Sequence, residues 1–359
     1  MIAKSTLQGY LLEEALSWLL RNSGYSLLTE VRHDPEELTI GYGGALCVRG
    51  RSARHQVDVL GEFAFTPAFS LPVRMFLEAK FKNRPCDLAV VRNAHGVLHD
   101  VNQNFAVGGM SNPGEGAGAG RPRRRYQYVY ALFSTSGFTS DAQRYAIAHQ
   151  ISLVDLSGPS FARLLTVIER TADELLALAT KHVLDKLPLT DVRARLRYEL
   201  GTASVPPDKD FALPVRDALI DVIMRFTTAL TAHTSTELLL GFPAAPFILP
   251  LATSDAGAFL QHAESHPAHH VRIQRRGHHT DAEWTVTPLD NTGAYELAFK
   301  LPPHVEQWIS EIEESERARA VKIKRDFFSA ITIYRDRPAG GATTYQLLYD
   351  RAAMANGPA

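Results

Sequence analysis

Leu7, Leu11, Leu12, Ala15, Leu16, Leu19 and Leu20 recur at helical spacing near the start of the chain. That stripe predicts an amphipathic helix over Ser5–Asn22, stopped at Gly24. The period then shortens to two. Leu38–Arg49 reads as a strand bent at Gly43-Gly44, and His55–Phe65 alternates, with Gln56 and Asp58 on one face and Val57 and Val59 on the other. Val73–Phe81 is a mostly apolar strand in which Glu78 and Lys80 share a face and Leu77, Ala79 and Phe81 share the opposite one. Cys86–Phe105 returns to helical spacing, with Val90, Val91, Ala94, Val97, Leu98 and Val101 on one side. Gln103 and Asn104, late in it, read as surface residues. Residues 108–120 are rich in Gly, Ala and Ser and read as a loop. A strand over Tyr126–Ser134, a helix over Thr139–His149 capped by Thr139 or Ser140, and a strand over Ile151–Leu156 follow. This order predicts a three-layer α/β domain with a mixed sheet.

Helical spacing resumes over Ser160–Leu187. The charged, proline-bearing stretch Thr190–Asp210 then reads as a linker. The expected organisation is a domain over 1–165, a helical connector and linker over 166–210, and an α+β domain over 211–359. That last part should hold strands at His270–Arg275, Trp284–Pro288, Tyr295–Leu301, Ala330–Tyr334 and Thr344–Tyr349, and a charged helix over Val305–Phe328. A length of 359 residues agrees with two domains at roughly 150 residues each.

Composition excludes more than it assigns. With 45% apolar and 21% charged residues the chain can build ordinary cores. Cys47 and Cys86 are the only cysteines, which excludes a disulfide scaffold and a cysteine-based zinc site. No apolar run approaches the ~20 residues of a membrane span, and the longest, Leu238–Ala252, holds three prolines. The first residues run directly into a helix without a leader, so the expected location is the cytoplasm. A net charge of −1 does not announce nucleic acid. Local charge does more: Arg49, Arg51 and Arg54 precede the Gln56-Val57-Asp58 stretch, and Arg121, Arg123, Arg124 and Arg125 follow the Gly-rich loop. Each cluster alone reads equally as a solvated face. Flanking one site, they favour phosphate contacts.

If the strands carrying Asp58 and Glu78 pair as neighbours, the two carboxylates converge on one hard divalent cation with Lys80 beside them. The bland alternative is a cross-strand salt-bridge cluster on a solvated sheet. His262 and His266 have the spacing of a metal pair on one helical face, but Pro267 breaks that helix. With His269, His270, His278, His279, Arg272, Arg275 and Arg276, they read rather as a solvated or phosphate-contacting basic patch. Ser134, Ser136 and His149 form no nucleophile signature, and there is no Walker-type phosphate loop.

Three stretches carry a family resemblance. Gly9-Tyr10-Leu11-Leu12-Glu13 through Gly24-Tyr25 looks like a first helix; His55-Gln56-Val57-Asp58-Val59-Leu60-Gly61 and Phe76-Leu77-Glu78-Ala79-Lys80 look like a catalytic hairpin; Phe133-Ser134-Thr135-Ser136-Gly137-Phe138-Thr139 and Ile151-Ser152-Leu153-Val154-Asp155 look like a closing strand–helix–strand. Together they resemble the Mrr-type branch of the restriction-endonuclease-like superfamily, the PD-(D/E)xK nucleases, over residues 1–165. Val57 stands where the superfamily has its eponymous proline, Ala79 stands where this branch often has cysteine, and 108–120 is an insertion. The resemblance implies a DNA endonuclease serving restriction or antiviral defence, working as a homodimer or a subunit of a larger complex. It implies Mg²⁺, replaceable by Mn²⁺, on Asp58 and Glu78, with Lys80 and Gln56 orienting water or phosphate, and Glu13 either supporting those ligands from behind or ligating a second metal. Arg49, Arg51, Arg54, Arg123, Arg124 and Arg125 are the expected DNA contacts. The rival expectations are a silent nucleic-acid-binding module on a nuclease-like scaffold, and a repair or branched-DNA nuclease.

Overall fold

The computed structural model describes residues 3–66, 69–104, 124–182, 187–207, 211, 215–231, 237–245, 247–276, 283–301, 325, 327–336 and 341–349. The expected loop at 108–120, Arg121 and Arg123, His278 and His279, and nearly all of the expected helix at 305–328 lie outside these residues.

The leucine stripe forms α1 (Lys4–Asn22) and is buried along its length. After β1 (Tyr25–Leu27), the expected bent strand is a hairpin instead. Strands β2 (Leu38–Ile40) and β3 (Leu46–Arg49) pair with each other in antiparallel fashion around a turn in which Gly43 and Gly44 take φ values of +68° and +81°. The left-handed region admits glycine without penalty, so two glycines turn the chain where a bend was read. The expected strand over His55–Phe65 is likewise two strands. β4 (Arg54–Gln56) extends the β2–β3 hairpin into a three-stranded sheet, while β5 (Val59–Phe63) belongs to a second sheet. The chain changes sheets at Val57-Asp58.

The second sheet has the order β1-β5-β6-β7-β8, with β6 (Val73–Lys80), β7 (Gln127–Ser134) and β8 (Ile151–Asp155). β5 runs antiparallel to β1 and β6, whereas β6, β7 and β8 are parallel, joined through α2 (Leu88–Asn102) and α3 (Ser140–Ala148). Period-two alternation divides the core. Leu77, Ala131, Phe133 and Val154 pack with α1, while Phe76, Tyr130, Leu132 and Leu153 pack with Val91, Ala94 and Ala142 of the other two helices. Helices therefore cover both faces of a mixed sheet.

Beyond β8, α4 (Ala162–Lys181), α5 (Leu189–Glu199) and α6 (Arg216–Thr231) add a helical layer against α1, and their buried residues join one core with it. The stretch read as a linker thus begins with a packed helix. Val192 and Leu196 of α5 are buried, and its arginines hold carboxylates of α1.

The last part is a closed seven-stranded barrel in the order β10-β13-β12-β11-β15-β14-β9. Its strands are β9 (Glu237–Pro243), β10 (Leu249–Thr253), β11 (Ala268–Arg276), β12 (Glu283–Pro288), β13 (Leu297–Phe299), β14 (Ala330–Asp336) and β15 (Ala342–Leu348), with α7 (Ala256–Ser265) between β10 and β11. Helices and strands were expected here; closure was not. Trp284, Phe299, Phe328 and, from α7, Phe259 and Ala263 fill its core. The barrel meets the first part of the chain where the Tyr334 ring stands edge-on to Phe63 at 4.7 Å. Gly24, at φ +81°, permits that approach, since a Cβ there would sit 3.1 Å from the Cβ of Tyr334. Among the described residues no helix is long and apolar enough to cross a membrane.

Candidate functional site

Register brings Asp58 to Glu78. Val59 pairs with Leu77 across β5 and β6, so the residue before β5 lies beside the residues after Leu77. The Asp58 carboxylate accepts a hydrogen bond from the Ala79 N–H at 3.1 Å. Glu78 and Lys80 share the face predicted for them, and the Lys80 ammonium pairs with Glu78 Oε1. Glu78 Oε2 accepts from the Tyr130 hydroxyl at 2.6 Å. Asp58, Glu78 and Lys80 are half-buried, and with Arg54, His55, Gln56, Asn93 and Tyr130 they line a cleft of about 370 Å³. Gln56 is exposed at the end of β4 and reaches the cleft from the small sheet, whereas Asp58 stands at the junction just before β5.

A second cleft, of about 440 Å³, lies across the wall formed by Gln56, Val57 and Asp58. Glu13 of α1 faces it, with Tyr10 and the α5 residues Arg193 and Arg197. Glu13 accepts from Arg193 Nη2 at 2.7 Å. Its neighbour Glu14, 0% exposed, is held by Arg193 Nε at 2.8 Å and by Arg197 Nε at 3.0 Å. An internal carboxylate of this kind persists because it is paired.

The electrostatics follow from crowding acidic groups into partly dry clefts. Burial raises the Asp58 pKa, opposed by the Ala79 amide and increased by the Glu78 charge. Burial pushes Glu13 up to about 7, against the Arg193 guanidinium and with a further rise from Asp58. Burial disfavours the Lys80 ammonium, but the adjoining Glu78 carboxylate outweighs it and the pKa ends raised. At neutral pH, Lys80 is a firm cation beside carboxylates under mutual repulsion. Such a set can hold a hard cation, orient water, or offset negative charge developing on a bound anion.

No protein-family model and no curated protein matches the sequence. A solved structure described as "Crystal Structure of Protein of Unknown Function AF1548" aligns at 16% identity, covering 61% of this chain and 96% of that chain, with a TM-score of 0.30.

The predicted arginines divide. Arg54 lines the Asp58 cleft; Arg49 and Arg51 lie on the same hairpin, whose turn is fixed by Asp100 of α2. Asp100 accepts from Ser52 N–H at 3.0 Å, from the Ser52 hydroxyl at 2.5 Å and from Ala53 N–H at 3.2 Å, and it meets His55 Nε2 at 2.7 Å. Burial would raise its pKa; these hydrogen bonds hold it down to about 2. Arg124 is elsewhere. It pairs with Glu62, which lies opposite Arg74 at the far end of β6 from Lys80, about 20 Å along the strand by its rise per residue. Arg124 therefore stands away from Lys80, because Tyr126–Ser134 runs parallel to β6 and starts at its distant end.

Sequence reasoning also missed residues. Tyr126, just before β7, and Tyr128 and Tyr130 on it recur at period two, and the hydroxyls of the latter two meet carboxylates, Glu37 and Glu78. That repeat of polar-tipped rings was the available signal. Arg193 and Arg197, at helical i,i+4 spacing, match the adjacent Glu13-Glu14 pair, a charge complementarity visible only once α5 is read as a helix. Gln103 and Asn104 do not line either cleft; Asn93, about three turns earlier, does.

Proposed function

We propose that residues 1–165 form a metal-dependent DNA endonuclease of the restriction-endonuclease-like, PD-(D/E)xK, type, hydrolysing phosphodiester bonds. One observation carries the reading: Asp58, just before β5, and Glu78 and Lys80 of β6 line a single cleft, with Asp58 pinned to the amide inside the Glu-x-Lys stretch. A mixed sheet covered by helices on both faces is compatible with the three-layer architecture of that superfamily.

The donor set fits Mg²⁺. It consists of carboxylate oxygens, the ligands hard cations select, and the burial and Glu78 repulsion that raise Asp58 are what a divalent charge would offset. When bound, Mg²⁺, or Mn²⁺ in its place, would polarise a phosphoryl oxygen and acidify a coordinated water. Asp58 and Glu78 would hold it. Tyr130 fixes the second oxygen of Glu78, and Lys80 supplies positive charge where a phosphorane would become more negative. Gln56, at the rim, offers its amide to water or phosphate, and Glu13 backs Asp58 from the neighbouring cleft. Arg54, with Arg49 and Arg51 on its hairpin, neutralises backbone phosphates. The role is prokaryotic restriction or antiviral defence in the cytoplasm, and cutting both strands calls for a homodimer or a larger assembly. Plasmid nicking with Mg²⁺ tests the chemistry: Lys80→Ala should abolish it, and undiminished cutting would remove the assigned mechanism.

A specific observation favours a second reading. Both oxygens of Glu78 are already engaged, and Asp58 is tied to a backbone amide. A catalytically silent or partner-activated nucleic-acid-binding module would have such an internally satisfied cluster. Calorimetric Mg²⁺ titration of the wild type and Asp58→Ala separates the two, since only the nuclease reading requires binding that depends on Asp58. Comparing duplex, single-stranded, methylated and branched substrates then distinguishes restriction from repair.

A further inference from the structure

Helix α7 ends at Ser265, and His266 caps it because Pro267 cannot continue the helix. His262 and His266 are thus one turn apart on one side, with rings stacked 4.8 Å between centroids at 25°. Asp290 comes to them from the turn after β12. That turn is fixed by the Leu289 N–H donating to His270 O at 2.9 Å, the Asn291 N–H to Asp290 Oδ1 at 2.9 Å and the Ala294 N–H to Asn291 O at 2.9 Å. One ligand atom from each of His262, His266 and Asp290 lies within 4.8 Å of the other two. Among the described residues, Asp58, Glu78 and Glu13 do not close to that spacing as a trio.

His262 decides what the cluster is for. Its side chain is 9% exposed, and its Nε2 is shut off from solvent without a hydrogen-bond partner. Asp290 Oδ1 stands 3.7 Å from that nitrogen, too far for a hydrogen bond. It is close to what a shared ion requires, because bonds of ~2.0–2.2 Å at tetrahedral angles put ligand atoms about 3.3–3.5 Å apart. The neighbouring ring is prepared as well. His266 Nδ1 faces the His262 carbonyl at 3.3 Å and so carries the proton, leaving the Nε2 lone pair free to ligate. His269, whose Nδ1 meets the His266 carbonyl at 2.7 Å and whose Nε2 meets the Tyr295 hydroxyl at 2.6 Å, holds the backbone behind them.

The geometry points to a site for one divalent transition-metal ion of the zinc class, ligated by His262, His266 and Asp290 at the end of the barrel. Two imidazoles and one carboxylate suit a borderline ion and not Mg²⁺, which selects oxygen. Exposure of His266 and Asp290 leaves a fourth position open to water or to a ligand with a lone pair. The ion ties α7, whose Phe259 and Ala263 enter the barrel core, to the turn between β12 and β13. It is independent of the acidic cleft at Asp58.

The test uses the full chain carrying Asp58→Ala and Glu78→Ala, which removes the acidic cleft as a competing site. After chelator treatment, it is titrated with Zn²⁺ against a chromophoric chelator near neutral pH. One tightly bound Zn²⁺ is expected, undisturbed by excess Mg²⁺. His266→Ala or Asp290→Ala should each weaken it about tenfold or more, and the pair together should abolish it. Both positions are exposed, so an unchanged melting temperature before metal addition certifies the fold of the variants. Zn²⁺ should then raise the melting temperature of the parent and not that of the double variant. Equal Zn²⁺ affinity in parent and double variant, or no Zn²⁺ bound by the parent, overturns the assignment.

Discussion

The Asp58 carboxylate accepts the Ala79 N–H at 3.1 Å, so an acidic side chain replaces a backbone partner at the point where β5 begins. That single bond gives Asp58 two separable duties, holding the strand end and carrying charge. Asp58→Asn keeps an acceptor for the amide and loses the charge. Asp58→Ala loses both and leaves a partly buried N–H unsatisfied, at a cost of about 1–3 kcal/mol. Both variants should lose Mg²⁺-dependent nicking by a hundredfold or more on the order of an electrostatic catalytic contribution. Only Asp58→Ala should lower the denaturation midpoint substantially. Equal midpoints would assign the Ala79 contact no structural weight.

Tyr130 provides a finer test. Its hydroxyl reaches Glu78 Oε2 at 2.6 Å, with the ring stacked on Phe76 at 5.6 Å between centroids. Tyr130→Phe retains the stack and frees one carboxylate oxygen beside an open cleft where water can replace the hydroxyl. The stability loss should stay near 1 kcal/mol. Nicking should fall at saturating Mg²⁺, because Glu78 is no longer oriented. A variant with wild-type rates at all Mg²⁺ concentrations would leave Tyr130 as a packing residue.

The parts legible in the sequence are those set by local period. The α1 stripe and the Glu78–Lys80 face of β6 follow from spacing alone, and of the two caps open for α3, Thr139 is the one the structure uses. The failures share one cause: partners far away in sequence. Alternation continues undisturbed through Val57 and Val59, both buried, although the chain passes between two sheets there. Arg74, near the start of β6, is 1% exposed because Asp34, Glu62 and Tyr128, from separate elements, satisfy its guanidinium. No local pattern announces that. Barrel closure rests on β9 pairing with β14 and β11 with β15, contacts spanning much of the second half.

Glu13 should make stability depend on pH in an unusual direction. Its carboxyl is ordinary when unfolded and lifted to about 7 when folded, so the native state holds the proton more tightly. A raised acid pKa contributes stability below the unfolded value, and that contribution is lost as pH rises towards the folded one. The window is about pH 4.5 to 7, and the span corresponds to about 3.5 kcal/mol at most. Asp58, raised by burial beside it, acts with the same sign. Glu13→Gln removes the Glu13 share. The stability of this variant relative to wild type should therefore grow between pH 5 and pH 8 in paired denaturation curves. A constant difference across that range would mean that Arg193 keeps Glu13 ionised throughout.

Glu14, one position on, is a structural anchor. It is fully buried with Arg193 and Arg197 on its oxygens, and it fastens α5 to α1. Removing one member of an internal ionic cluster leaves the others desolvated and uncompensated, typically about 3–5 kcal/mol. Arg197 is partly exposed and can turn to water, so Glu14→Ala should cost near the lower figure. Removing the cations too relieves the mismatch: the triple variant Glu14→Ala, Arg193→Ala, Arg197→Ala should recover part of the loss even though it deletes more contacts. Urea denaturation of the three forms decides between a charge effect and a packing effect. If the triple variant is the least stable, the arginine stems carry the packing of α5, and their charges contribute little.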